Sequence, residues 1–376
     1  MPFKFNVSRD DFLRAISAQQ NIANKKGTLA ILANVLLDVG LNDIVLTCTD
    51  LEIGLKQTVP AEVFENGKLT LPAKKLFEIA RESGSTTISF KEVDNCWVEI
   101  SAGSSLYRLA GMVADEYPNF PTYNEEKMVG IESEILADLI DKTIFSIAQD
   151  KENMFTLTSG LLKKESKENK LFLKMITSDS HRLSIMTREV DSSIDNISME
   201  NLTLIPRRGI QEIRKFCDNK TNIFFGIEEK KCVLKCDDSL LIIRLIEGDF
   251  PDFQNLINSL QKNNNLRIGR IRFLEGLRRI NLFTEDLFNA IKIDIQENKM
   301  VLTSQNADFG SAKDEFDIDY QGESLSVGFN CRYFIDSIQV MEGKFINVNI
   351  NNNESPCIIT SDEDIGFLSI IMPMKI

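Results

Sequence analysis

Apolar positions along the chain follow two different periods. Helical spacing marks SRDDFLRAISAQQNIANKK from residue 8, IESEILADLIDKTIFSIAQ from 131 and RIGRIRFLEGLRRINLF from 267. The same spacing marks LPAKKLFEIAR at 71–81, IPRRGIQEIRKF at 205–216 and FNCRYFIDSIQV at 329–340. Ser8 is placed to cap the first of these, with Asp10 and Asp11 in the turn where carboxylates suit the helix dipole. Pro72 and Pro206 fall in the opening turn of theirs, where a missing N–H is tolerated. Period two marks KLTLPA, TTISFKE, CWVEISA, KCVLKCD and SLLIIRLIE, separated by turn-rich ENG, ESGS and DDS.

The elements repeat. LTCTDLEIG at 46–54, MITSDSHRL at 175–183 and VLTSQNADF at 301–309 each carry a hydroxyl pair in a β-rich run, and aligning Thr49, Ser178 and Ser304 gives spacings of 129 and 126. Pro72, Pro206 and Asn330 are 134 and 124 apart, and the connectors DEYPNF at 115–120 and GDFPDF at 248–253 close the first two units. Two independent markers with one period indicate an internal triplication. The expected fold class is therefore α+β: three similar domains, 1–126, 127–257 and 258–376, each with two helices packed on antiparallel strands.

Length agrees with this, since 376 residues exceed one ordinary core. No apolar run approaches the roughly 18 residues of a spanning helix, and the start lacks a signal-peptide pattern, so the sequence points to a cytoplasmic protein. The seven cysteines contain no CxxC pair, which suits reduced thiols. Cys232 and Cys236 read as buried strand thiols rather than a metal knuckle.

The net charge of -13 argues, as an average, against binding nucleic acid. Its distribution changes that picture. Residues 8–26, 72–82, 130–150, 206–217, 266–283 and 330–341, which span the helix-like segments, together carry +6, leaving -19 for the rest of the chain. Helix and turn propensities alone explain about half of such a bias. A basic helix-lined surface that tracks a phosphate backbone would explain the rest, although segment 130–150, at -4, goes against it.

GxGxxG, GxxxxGK[ST] and GxSxG are all absent, so there is no phosphate-cradling loop and no nucleophile elbow. The only histidine, His181, lies in TSDSHRLSI at 177–185, near Asp179 and Ser180. A hydrolase would need a serine and a separate carboxylate on its two ring nitrogens. If the stretch is extended, Ser180 and Arg182 point away from His181 while Asp179 and Leu183 share its face, so sequence neighbours fail to build a triad.

Three repeats in order, the second holding SDSHRLSI, PRRGIQEIRK and GDFPDF, and an ending IMPMKI together resemble the bacterial DNA polymerase III beta subunit family, the replication sliding clamps. The resemblance implies a non-enzymatic homodimeric ring around duplex DNA, without cofactor or metal. It would tether the polymerase III catalytic subunit, the clamp loader, and other polymerases and repair proteins through short hydrophobic peptides.

By similarity, the peptide cleft involves Leu157, Ser178, Ser180, His181, Arg182, Leu183, Pro251, Asn255, Leu256, Phe288, Asn330 and Tyr333. The tail adds Ile370, Ile371, Met372, Pro373, Met374, Lys375 and Ile376. Without the resemblance, Leu183 reads as core and IIMPMKI as a last edge strand. The positions matching the family's DNA-facing surface are Lys26, Lys74, Gln149 and Arg208, to which helical position adds Arg207 and Arg214. At the ring interface, Tyr107 and Leu109 would meet Leu282 and Phe283, with Lys75 a polar partner.

The chain also departs from the family pattern. Ser180 replaces a usual glycine and would be strained at positive φ. Asn255 stands where arginine is common, and Ala30 where proline is frequent. CTDLEIG and TSQNADF lack His-Arg-Leu, which implies one docking site per chain.

Overall fold

The computed structural model describes residues 2–23, 29–149, 155–199, 202–260, 264–284 and 288–375. Among them are seven α-helices: α1 (Arg9–Ile22), α2 (Ala73–Glu82), α3 (Ser133–Asp141), α4 (Arg207–Cys217), α5 (Phe253–Ser259), α6 (Arg270–Asn281) and α7 (Cys331–Gln339). Six fall on the expected helical segments, α2 and α4 each ending one residue beyond theirs. The seventh, α5, is a two-turn helix hidden behind the GDFPDF connector, where Asp252 accepts from the N–H groups of Gln254 and Asn255. Ser8 caps α1 through the Asp11 N–H, while Pro72 and Pro206 each stand just ahead of their helix rather than inside it.

Two compact units result. One comprises residues 1–131, 196–198 and 219–244, the other residues 132–195, 199–218 and 245–376. In the first, α1 and α2 cover a core built on Phe3, Phe5, Phe12 and Phe90, and the strands form a single 13-stranded sheet. Strand Ser239–Arg244 enters it by antiparallel pairing with Ile53–Glu65, in the register Ile242 to Gly54. The outer edge of that path is Ser105–Ala110.

The second unit holds an eight-stranded and a four-stranded sheet. The eight-stranded sheet joins strands from the middle and last repeats where Arg182–Val190 pairs with Phe367–Ile371, Leu183 opposite Ile370. The four-stranded sheet ends on the strand Gly310–Asp317.

TSDSHRLSI is not extended throughout. Strand Lys170–Ser178 ends at Ser178, the chain turns with Ser180 at φ 73°, and the return strand begins at Arg182. The expected alternation of faces across Asp179, Ser180, His181 and Arg182 therefore does not hold. Asp179 has left the strand to make an Asx turn, its Oδ1 accepting from the His181 and Arg182 N–H groups at 3.1 and 3.0 Å.

The same turn appears in all three repeats. Asp50 Oδ1 accepts from Glu52 and Ile53, and Asn306 Oδ1 from Asp308 and Phe309. The carboxylate or amide that makes it, at 50, 179 and 306, gives spacings of 129 and 127, one residue out of step with the alignment of Ser178 with Ser304. The buried hydroxyls agree with the revised register. Thr177 donates to the Thr143 carbonyl and Ser304 to the Ile280 carbonyl, each just past or at the end of a helix.

Cys232 lies fully buried within strand Lys231–Cys236 and Cys236 is nearly so, as the strand-thiol reading expected.

Candidate docking cleft

The turn 178–182 forms one wall of a cavity of about 280 Å³. Ser178, Ser180, Arg182 and Leu183 line it from the hairpin, Leu157 from beneath, and Pro251 and Leu256 from the connector and α5. Ile370 and Met372 complete it from the last strand and tail. The chain beyond the last strand reaches this place because the Met372 N–H donates to the His181 carbonyl, prolonging the ladder past Ile371, and the Met374 N–H then bridges to the Gly328 carbonyl in strand Leu325–Asn330 of the four-stranded sheet. Three residues that the sequence reading did not name also line it: Phe250, Asp252 and Phe253. The signal was available in GDFPDF, which supplies both aromatic rings and the cap of α5, but of this motif only Pro251 was assigned to the cleft.

Wall residues divide by burial. Leu157, Leu183 and Ile370 are buried and belong to an apolar cluster with Phe250, against which Phe253, Leu256 and Ile257 pack half-buried. Core and cleft are thus not alternatives for Leu183: its side chain contributes to both. Met372 is 37% exposed and supplies a flexible, polarizable lip.

Arg182 is 9% exposed and has no spare charge to offer. Its Nε donates to Asp179 Oδ2 at 2.8 Å, Nη1 to Asp336 Oδ2 at 2.7 Å and Nη2 to the Phe145 carbonyl at 2.6 Å. Its guanidinium carbon also lies 4.4 Å from the Tyr333 ring centre. This pattern satisfies a buried cation and holds the hairpin against α7. Arg182 is a positioning residue whose stem lines the cleft.

His181 is exposed, with its ring parallel to Tyr333 at 6.5 Å between centroids. Its backbone carbonyl carries the Met372 bond. The Asp179 carboxylate is committed to the His181 and Arg182 N–H groups through Oδ1 and to Arg182 Nε through Oδ2, so it is not the carboxylate that a triad would place on a His181 ring nitrogen.

Other site positions lie around the cavity rather than in its lining. Asn255 sits on α5 with its amide on Asp252 Oδ2. Asn330 caps α7 through the Arg332 N–H. Ile371 is buried opposite Arg182, Pro373 is half-buried, and Lys375 and Phe288 are exposed. Ile376 and Lys26 lie outside the described residues.

Among the cations assigned to DNA, Lys74 and Arg208 are exposed, as is Gln149. Arg207 donates to the Ile147 carbonyl at 2.7 Å. Arg214 is held by Asp141 at 2.8 Å and by Asp218 at 2.5 Å, two carboxylates to one guanidinium. Lys75 is exposed and paired with Glu78.

Comparison with known proteins decides the family. The DNA polymerase III beta subunit N-terminal domain matches residues 3–121, the central domain 130–252 and the C-terminal domain 260–375. The chain belongs to the DNA polymerase III beta subunit family. Its α+β fold is that of three consecutive sliding-clamp domains. The beta sliding clamp of Chlamydia pneumoniae is 26% identical over 373 residues, covering 99% of each chain. That of Haemophilus influenzae is 27% identical over 383 residues, covering 99% of this chain and 100% of its own. A solved Caulobacter crescentus beta sliding clamp superposes with a TM-score of 0.93 at 23% identity over 100% of both chains. So does a Bartonella birtlesii sliding clamp bound to griselimycin, with the same three values. At those identities the solved structures establish the fold. The family serves DNA replication as a non-catalytic processivity factor, and this chain is a sliding clamp. None of the described helices is long and apolar enough to cross a membrane.

Proposed function

We propose that two copies of this sliding clamp close head to tail into a ring around duplex DNA. The ring tethers the polymerase III catalytic subunit, the clamp loader, and other polymerases and repair proteins through the cleft beside His181. The observation that carries the tethering is the apolar cavity itself, with Leu183, Leu256 and Ile370 as floor and walls and Met372 as an adaptable lip. Its small size suits partners that must exchange. Leucine and phenylalanine anchors of a short peptide match its chemistry, and Lys375 and Ile376 are proposed as further contacts of the tail.

Ring closure draws support from the strand edges. Successive repeats are already joined twice by antiparallel strand pairing, Ile53–Glu65 with Ser239–Arg244 and Arg182–Val190 with Phe367–Ile371. A third such pairing would bring Gly310–Asp317 of one copy to Ser105–Ala110 of another. The first strand carries Asp314, Glu315 and Asp317 against one lysine, and the second carries Arg108. Tyr107 and Leu109 on that edge and Leu282 and Phe283 after α6 then supply apolar contact, with Lys75 at the rim. A head-to-tail contact that closes after two copies gives a ring rather than a filament.

Lys74, Gln149 and Arg208, with Lys26 and Arg207, are proposed to face the phosphates; Arg214, doubly paired, contributes least. Domain boundaries at 126/127 and 257/258 accompany this reading, as does residence in the cytoplasm. The test is solution mass together with retention on DNA. A species of twice the chain mass, held on a circular plasmid in moderate salt and lost on linearisation, is the expected result. Equal retention on both forms would end the ring reading.

A further inference from the structure

The first repeat builds the same frame as the docking cleft, and it too opens onto a cavity. Asp50 makes the turn that Asp179 makes, and Leu51 takes φ 75° where Ser180 takes 73°. Thr49 Oγ1 accepts from Leu51 N–H and donates to the Ile53 carbonyl, as Ser178 Oγ does with Ser180 and Arg182. The neighbouring strand docks alike: Arg244 N–H donates to Glu52 O at 2.8 Å, Met372 N–H to His181 O at 2.9 Å. Position by position, Ile53 therefore stands for Arg182, Gly54 for Leu183, Ile242 for Ile370 and Arg244 for Met372. The cavity at this second place measures about 460 Å³.

Its lining differs in a way that selects a different occupant. A Cβ on Gly54 would come 2.9 Å from the Phe120 ring, so an aromatic ring fills the space that the Leu183 side chain takes in the other cleft. Leu51, 54% exposed, and Ile242 give apolar wall. The rim holds three cations, Arg244, Lys230 and Lys231, and two carboxylates, Glu52 and Glu229. Arg244 Nη1 is 3.9 Å from Glu52 Oε1, a loose and exposed pair, and Lys231 Nζ donates to the Thr122 carbonyl at 2.8 Å. An excess of cations around an apolar depression, in a chain of net charge -13, fits an anionic ligand with one apolar anchor.

We infer that the cavity bounded by Leu51, Gly54, Ile242 and Arg244 is a second peptide-docking site, taking an acidic segment whose apolar side chain lies on Leu51 and Ile242 and whose carboxylate meets Arg244. It goes beyond the tethering reading, which concerns the cleft beside His181.

The test uses the full chain carrying Leu256→Asp, which impairs the first cleft, and a fluorescent, end-blocked hexapeptide Asp-Asp-Leu-Phe-Asp-Asp read by anisotropy. Binding of one peptide per chain is expected. Adding Arg244→Glu should weaken it at least tenfold, Arg244→Met less, and replacing the four Asp of the peptide by Asn should also cost at least tenfold. No binding to the Leu256→Asp chain, or equal binding with Arg244→Glu, overturns the site. Displacement of the peptide by a short DNA duplex, abolished by Arg244→Glu, would instead assign these cations to phosphate and overturn the peptide reading. Because the tethering reading is tested at the other cleft and by retention on circular DNA, either can fail alone.

Discussion

The Lys142 ammonium lies 2.7 Å from the Asp364 carboxylate, with 5% and 2% of the two side chains exposed. Lys142 follows α3 and also donates to the Val340 carbonyl beyond α7, while Asp364 accepts from the Glu342 and Gly343 N–H groups. A fully bonded buried pair of this kind ties the middle and last repeats together beside the strands that carry the docking cleft. Removing one partner leaves the other charged and buried. Lys142→Ala should therefore cost about 3 kcal/mol, read from urea unfolding followed by circular dichroism. A change below about 0.5 kcal/mol would mean that water replaces the ammonium.

The same pair sets a pH dependence. Burial alone would raise the Asp364 carboxyl, but the Lys142 hydrogen bond and the Gly343 and Glu342 N–H groups outweigh it and hold it below its ordinary value. A carboxyl depressed in the folded state contributes stability above its unfolded pKa of about 3.9 and loses it as pH falls through the lower folded value. Unfolding midpoints should fall as the solution is acidified below pH about 4. Asp364→Asn should flatten that part of the profile, and an unchanged slope would remove Asp364 from the account.

Ser180 holds φ 73° in the turn that opens the cleft. A side chain in this region costs about 1 kcal/mol relative to glycine. Ser180→Gly is expected to raise stability by up to that amount while leaving the cleft intact. A loss of stability would show that the Ser180 side chain makes up for its own backbone strain.

Leu256 stands half-buried on α5, so it can be shortened without opening the core. Leu256→Ala should weaken a Leu-Phe-bearing polymerase peptide about tenfold, near 1.4 kcal/mol, with little change in unfolding. His181→Ala should change affinity only a few fold. Equal affinity in the Leu256→Ala chain would move the site elsewhere.

Arg208→Ala should lower the salt slope of DNA retention by roughly one counterion, whereas Arg214→Ala should change it less because Asp141 and Asp218 already compensate its charge. An equal effect of both would reassign the inner cations.

Burial also sorts the thiols. Cys331 is pushed up to about 12 by desolvation, and Cys357 is raised as well, whereas Cys96 is partly exposed. Cys96 should react first with a thiol reagent at neutral pH.

Much of this was legible because it repeats. Hydroxyl pairs, helix starts and acid-aromatic connectors returned at one period, and helical spacing located six of the seven helices among the described residues. What escaped was geometry that no period encodes. Asp179 reads as a strand residue until its carboxylate is seen capping the His181 and Arg182 N–H groups. Arg182 belongs to the cleft by similarity, yet its charge is taken up by Asp336, 154 residues away. CTDLEIG was set aside because it lacks His-Arg-Leu, although its backbone forms the same turn. In each case side-chain identity pointed to one role and the hydrogen-bonded frame fixed another.

The strand Gly310–Asp317 has a consequence for the chain before any partner arrives. An open edge is a template on which other chains can stack into aggregates. Here Lys313, Asp314, Glu315 and Asp317 make indiscriminate stacking unfavourable, and Glu315, held down at about 2 by Lys299 and then Lys313, stays ionised even in acid. Newly made chains thus carry their own safeguard against precipitation, and variants that neutralise this edge should be recovered as insoluble material before any defect in replication is seen.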